Sequence, residues 1–243
     1  MIVVASLLYA LAFQLWTLAL ALLYLPALVL PRRVMPPLAR FWLRGVMAIM
    51  RMTVGLSYEV RGAENLPAGP ALVAAKHQSA FETFALPLVI PDPAFVLKRE
   101  LQWIPFFGWY LAKTGVIAID RGAGAAALKA MLRGAGQAAA AGRSIIVFPE
   151  GTRTPPGERR PYHTGIAMLY GGLDLPVVPI ALNSGLYWGR RSFVKRGGRV
   201  IIEILPPIAP GLNRKRFMAE LETQIEAATD RLVAEGKKDG RRP

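Results

Sequence analysis

Hydrophobic and polar positions separate into distinct regimes along this chain. Residues 1–30 carry no charged side chain, and Ser6, Gln14 and Thr17 are their only clearly polar ones. As one helix, that stretch would run about 45 Å, more than the ~30 Å hydrocarbon core of a bilayer. Pro26 marks a kink or an end, but residues 2–25 alone suffice to span. No basic leader precedes the run and no small-residue cleavage site follows it, so it reads as a retained anchor rather than a signal peptide. Arg32, Arg33, Arg40, Arg44 and Arg51 come next. Their positive-inside bias places the remainder on the cytoplasmic face of the inner membrane. On a helical wheel Arg40, Arg44 and Arg51 share one side, with Phe41, Leu43, Val46 and Ile49 opposite or flanking. That is the pattern of an amphipathic helix at headgroup level, and a solvated face on a core helix would look the same.

From residue 56 the pattern changes to short apolar runs punctuated by turn signals. "LSYEVRG" (56–62), "ALVAAK" (71–76), "AFVLK" (94–98), "GVIAID" (115–120), "SIIVF" (144–148), "LPVVPIAL" (175–182) and "RVIIEIL" (199–205) read as strands. A helix is expected from the histidine motif at 77 toward Leu86, stopped by Pro87, and an Ala-rich one follows Asp120 and Arg121. A closing helix over roughly 214–235 shows Phe217, Leu221, Ile225, Ala228 and Leu232 on one face. Short, apolar strands alternating with helices predict an α/β fold with a mostly parallel central sheet flanked by helices. A hydrophobic membrane helix and a basic amphipathic helix precede it. The chain thus divides into an anchor region (1–55), an α/β domain (56–235) and a disordered basic tail (236–243).

Charge and composition narrow the chemistry. The net charge is +14 from 30 basic and 16 acidic residues, and the mean hydropathy is +0.33. Nucleic acid and anionic lipid are the usual partners of such a surplus. The basic residues cluster behind an anchor, and no RNA-binding aromatic signature, zinc-finger spacing or basic-zipper heptad accompanies them, so anionic membrane lipids are the expected partner and nucleic acid is not. The absence of cysteine removes disulfides and thiolate chemistry, and two histidines, His77 and His163, make a histidine-rich metal site improbable.

In a parallel sheet, ligands gather at the carboxyl ends of strands. Lys76-His77, Lys98-Arg99, Asp120-Arg121 and Pro149–Arg153 each begin where a predicted strand stops. His77 and Glu82 are five apart, about 140° out of alignment on a helix, so they meet only if His77 precedes the helix and Glu82 sits in its first turn. A carboxylate on one ring nitrogen would then fix the tautomer and leave the other nitrogen as a general base. A capped loop histidine beside an unrelated glutamate is the plainer reading. "VFPEGTRT" (147–154) offers a Gly-opened loop and Arg153, suited to a phosphate, although its prolines also fit a surface turn. Gly122-x-Gly124-x-x-Ala127 falls short of a dinucleotide fingerprint, because no acidic residue follows at the required distance. Arg121 at a helix entrance remains a good anion ligand. Trp103, Phe106, Phe107, Trp109 and Tyr110 would line an acyl groove, dip into lipid or pack in the core. His163 reads as a cap or loop residue.

The ordered blocks "KHQSAFET", "FVLKRELQWIPFFGWYL", "GVIAIDRG", "VFPEGTRT" and "VVPIALNSG" resemble the 1-acyl-sn-glycerol-3-phosphate (lysophosphatidate) acyltransferase family over roughly residues 56–205. The resemblance implies transfer of a fatty acyl group from acyl-acyl-carrier protein or acyl-CoA to a lysophospholipid acceptor at the inner membrane surface, without a metal or cofactor. The family's His-x-x-x-x-Asp block falls on His77 and Glu82, a departure of one methylene. It implies His77 and Glu82 as the catalytic pair. Lys98, Arg121, Gly151, Thr152 and Arg153 would bind the acceptor phosphate, and Glu150 would shape the site. Another lysolipid acceptor, such as a lyso-ornithine lipid, or a non-catalytic membrane lipid-binding protein would suit the same scaffold.

Overall fold

The computed structural model describes residues 1–239, the side chains of Arg121 and Asp239 excepted. Two helices open the chain: α1 (Ile2–Leu23) and α2 (Met35–Val54), joined by two short 3₁₀ turns. Gly55, at φ +70°, ends α2 in the left-handed conformation, and its N–H returns to Arg51 O at 3.1 Å. The remaining elements are β1 (Leu56–Arg61), β2 (Leu72–Ala75), α3 (Phe81–Val89), β3 (Ala94–Lys98), α4 (Phe107–Lys113), β4 (Ile117–Ile119), α5 (Gly124–Ala140), β5 (Ile145–Val147), α6 (Gly165–Leu173), β6 (Val177–Leu182), β7 (Gly198–Ile204) and α7 (Arg214–Asp239).

The strands form one sheet in the order β1-β7-β6-β2-β5-β3-β4. Every pairing is parallel except β6 with β7. Successive side chains of a strand face opposite sides, and both sides are covered here. Leu72, Ala74, Ile145 and Val147 pack with Met131 and Ala135 of α5, Ile166 and Leu169 of α6, and Phe217 and Leu221 of α7. Val73, Ala75, Ile146 and Val178 pack with Met47 and Met50 of α2 and Phe81 and Leu86 of α3.

This topology opens a crevice. From β2 the chain leaves for α3 on one face, while from its neighbour β5 it leaves for α6 on the other. Loops diverging from adjacent parallel strands leave a gap at their carboxyl ends, the usual ligand position in such sheets.

Three expectations need correction. α3 runs through Pro87 to Val89 rather than stopping there, and Arg40 of α2 donates to the Pro87 and Leu88 carbonyls at 2.7 and 3.1 Å. Arg40 is therefore a cap on another helix, while Arg44 and Arg51 stay exposed. α7 continues to Asp239, so residues 236–239 are helix, not tail; residues 240–243 lie outside the described part. Gly236 sits inside that helix because a Cβ there would come within 2.7 Å of Leu186.

α1 is long and apolar enough to cross a membrane. It nevertheless lies along the domain, tied at three heights. Ser6 Oγ accepts the Lys195 N–H at 3.0 Å; Trp16 Nε1 donates to Trp42 O at 3.0 Å; and Tyr110 donates its hydroxyl to Ala21 O at 2.5 Å. The outward face carries Val4, Leu8, Leu11, Leu15 and Leu22, all exposed.

Candidate active site

β2 ends at Ala75, and the next two residues turn in opposite directions. Lys76 goes into the core; His77 goes to the crevice, its side chain 15% exposed. His77 stays ahead of α3, and Glu82 occupies that helix's first turn. The spacing of five therefore closes rather than separates the pair. Glu82 Oε1 lies 3.0 Å from His77 Nδ1 and accepts the backbone N–H groups of Gln78 and Ser79 at 2.6 and 2.7 Å. Its other oxygen accepts the Ser184 hydroxyl at 2.8 Å. An ionised carboxylate only accepts, so Nδ1 carries the proton and Nε2 is the basic nitrogen. The imidazole stacks on Phe148, ring centroids 4.0 Å apart and planes 15° from parallel, which fixes its rotation.

The loop after β5 forms the facing wall. Thr154 N–H donates to His77 O at 2.7 Å, and Gly151, at φ +64°, makes the turn that no β-carbon would favour. A cavity of about 1040 Å³ is lined by His77 together with Lys98, Gly151, Thr152, Arg153 and His163. It continues between the helices past Phe106 and Phe107 to Leu18, Leu43 and Met35. Its lining thus joins an imidazole and several cationic side chains to a mostly apolar wall. Such a space accepts an amphiphile whose headgroup is anionic.

Of the residues expected to share a site, five line this cavity: His77, Lys98, Gly151, Thr152 and Arg153. Glu82 stands behind the imidazole, at 0% exposure. Glu150 is inside the domain, where its carboxylate accepts from Lys76 Nζ at 2.8 Å and from the His77 N–H at 3.0 Å. Arg121 opens the short turn before α5, but its side chain is outside the described part. The aromatic stretch divides: Phe106, Phe107 and Tyr110 line the cavity, while Trp103 and Trp109 are turned to the surface.

Comparison with known proteins accords with this geometry. The acyltransferase family profile matches residues 57–183. The chain is 39% identical over 194 residues to a 1-acyl-sn-glycerol-3-phosphate acyltransferase of Pseudomonas aeruginosa, covering 80% of this chain and 76% of that protein. It belongs to the 1-acyl-sn-glycerol-3-phosphate acyltransferase family. A Saccharomyces cerevisiae member is 30% identical over 199 residues, covering 80% of this chain and 65% of the yeast protein. Among solved structures, the crystal structure of the 1-acyl-sn-glycerophosphate acyltransferase from Thermotoga maritima matches with a TM-score of 0.77. It covers 94% of this chain and 97% of that one at 21% identity, a likeness of fold. The chain is an acyltransferase with a mostly parallel α/β domain behind an apolar N-terminal helix.

Within this acyltransferase, four polar residues that the sequence patterns did not single out support the site. Ser184 follows β6 and reaches Glu82. Gln78 accepts the Gly185 N–H at 3.0 Å, joining the same two loops. Tyr162 and Glu226 lie with Lys76 below the histidine loop. Burial, and next the Glu226 carboxylate, push the Tyr162 phenol well above its usual range, so it stays a donor. Lys76 was visible as a charge ending an apolar strand, whereas Glu226 resembles any helix-surface glutamate until its helix is docked. His163, expected to be a cap or loop residue, lies just ahead of α6 and lines the cavity; its N–H donates to Pro149 O at 2.9 Å.

Proposed function

We propose that this acyltransferase moves a fatty acyl group from acyl-acyl-carrier protein or acyl-CoA to the free sn-2 hydroxyl of 1-acyl-sn-glycerol-3-phosphate, giving phosphatidic acid. The observation that carries the reading is His77, its Nδ1 held 3.0 Å from Glu82, on the wall of a cavity shared with Lys98 and Arg153. His77 Nε2 takes the proton of the acceptor hydroxyl as its oxygen attacks the thioester carbonyl. The tetrahedral intermediate expels the thiolate, and the imidazolium returns its proton to that sulfur. Glu82 compensates the transient cation. Lys98, Arg153 and Thr152, with Arg121 and Gly151 from the same rim, hold the acceptor phosphate, because a dianion needs several donors. The apolar end of the cavity takes hydrocarbon.

Membrane attachment fits the same picture. The exposed apolar face of α1, together with the exposed Arg44 and Arg51 of α2, lies in the inner leaflet of the cytoplasmic membrane and brings the crevice to headgroup height. The names of the relatives in Pseudomonas aeruginosa and yeast favour lysophosphatidate over other lysolipids as acceptor. The test is thiol release from acyl-CoA by purified protein in the presence of lysophosphatidate, beside His77→Ala. The variant should bind vesicles normally and lose about 10²–10⁴-fold in turnover. Near-normal turnover would exclude His77 as the base.

A further inference from the structure

A charged cluster to which the proposed chemistry assigns no role lies beneath the histidine loop. Lys76 heads the largest of the wholly buried side chains. Its Nζ donates to Glu150 Oε1 at 2.8 Å and to both oxygens of Glu226, at 2.7 and 2.9 Å. Tyr162 donates its hydroxyl to Glu226 Oε1 at 2.9 Å. The remaining Glu150 oxygen accepts the His77 N–H. An unbroken chain of charge-assisted contacts thus runs from α7, outside the segment matched by the family profile, to the backbone of the histidine.

Stability alone is a poor reason for this arrangement. Burying three ionised groups costs several kcal/mol each before their attraction is counted, and apolar replacements of similar volume are often as stable. The cluster also holds an excess carboxylate. With both glutamates ionised its net charge is −1, one layer below an imidazole that must turn cationic as it accepts a proton. We propose that Lys76 and Glu226 are positioning residues for His77: through Glu150 they fix its backbone, and their net negative charge favours the imidazolium formed in the transition state. This inference rests on the reading of His77 as the base.

The charge account yields signs that a purely structural role would not. Glu226→Gln takes the cluster to neutral, Lys76→Met takes it to −2, and the double variant returns it to −1. Removing negative charge disfavours the imidazolium and moves the acid limb of kcat/KM to lower pH. Lys76→Met moves that limb to higher pH. At an effective dielectric of about 20 and a separation of about 10 Å, each displacement should be on the order of one pH unit. Arg40, Glu82, Asp92, Lys98, Arg153 and His163 also face the histidine or its cavity and are the same in all these proteins.

The experiment measures pH–rate profiles of the full-length wild type, both single variants, the double variant and Glu226→Asp, in detergent or vesicles, with thermal melts run alongside. Glu226→Gln should lower kcat about 3- to 10-fold with an unchanged KM for lysophosphatidate. Glu226→Asp should keep the wild-type acid limb even if its melting point falls, and the double variant should restore the limb. A Glu226→Gln protein with wild-type kcat and acid limb, or a double variant whose limb is displaced further than either single one, overturns the proposal. Should Glu226→Gln not fold, the double variant read against Lys76→Met decides by the same criterion. His77→Ala separates the two readings: if it remains active the base assignment fails, and if it is inactive while Glu226→Gln matches wild type, only the present inference fails.

Discussion

Glu82 stands where an aspartate is usual in the resembled motif, and its contacts show what the added methylene does. One oxygen meets the imidazole and two backbone N–H groups, while the other reaches Ser184 across the loop after β6. A shorter arm reaches one side or the other. Glu82→Asp should therefore retain the histidine contact, lose Ser184 and lower kcat about 10-fold, whereas Glu82→Gln, unable to compensate an imidazolium, should lose about 10²-fold or more. Steady-state kinetics on detergent-solubilised protein distinguish the two. Arg153→Ala should raise KM for a phosphate-bearing acceptor more than for a neutral lysolipid; equal effects on both would make Arg153 structural. Most of the site was legible at this scale. His77, Lys98, Thr152 and Arg153 sit at or just past strand ends, which are local signals, and Glu82 opens the helix that follows His77. Ser184 and Glu226 were not, because each acquires its role from a partner about 100 residues or more away.

At the level of elements, all seven strands stood out as apolar runs, and α1, α2, α5 and α7 by length and periodicity. α4 and α6 did not. They are seven and nine residues long, and α6 contains three glycines, so propensity argues against a helix that only packing on α5 and the sheet makes worthwhile. The α1–α2 contact gives a sharp element-scale test. Gly45 of α2 lies against Trp16, and an added Cβ would sit 2.3 Å from the indole, which the hydrogen bond to Trp42 O holds in place. Alanine gains about 1 kcal/mol in helix propensity over glycine, but overpacking costs about 1–3 kcal/mol. Gly45→Ala should therefore lower the melting temperature in detergent; a rise would mean that the two helices are not packed as described.

For the whole molecule the deciding quantities are a surplus of fourteen positive charges and an apolar outer face on α1. Vesicle binding should have two components. The electrostatic part should require anionic lipid and weaken steeply between low and high salt as the Debye length shrinks. The apolar part should survive on neutral vesicles and disappear when Leu8, Leu11 and Leu15 are replaced together by glutamine. Co-sedimentation at two salt concentrations measures both. Sequence patterning indicated a membrane helix but not its posture, since hydropathy carries no information about which side of a helix meets protein.

The parallel pairing of β1 with β7 at the edge of the sheet has a consequence for biosynthesis. Among the described residues β7 is the only strand that pairs with β1, and it is made about 140 residues later. While the ribosome completes that interval, the first strand has no strand partner, although the apolar α1 has already emerged. Maturation should therefore be ordered in time, with zipping of the earliest strand to the latest among the final events. A nascent chain truncated before residue 198 should be captured by the membrane yet remain sensitive to protease at its first strand.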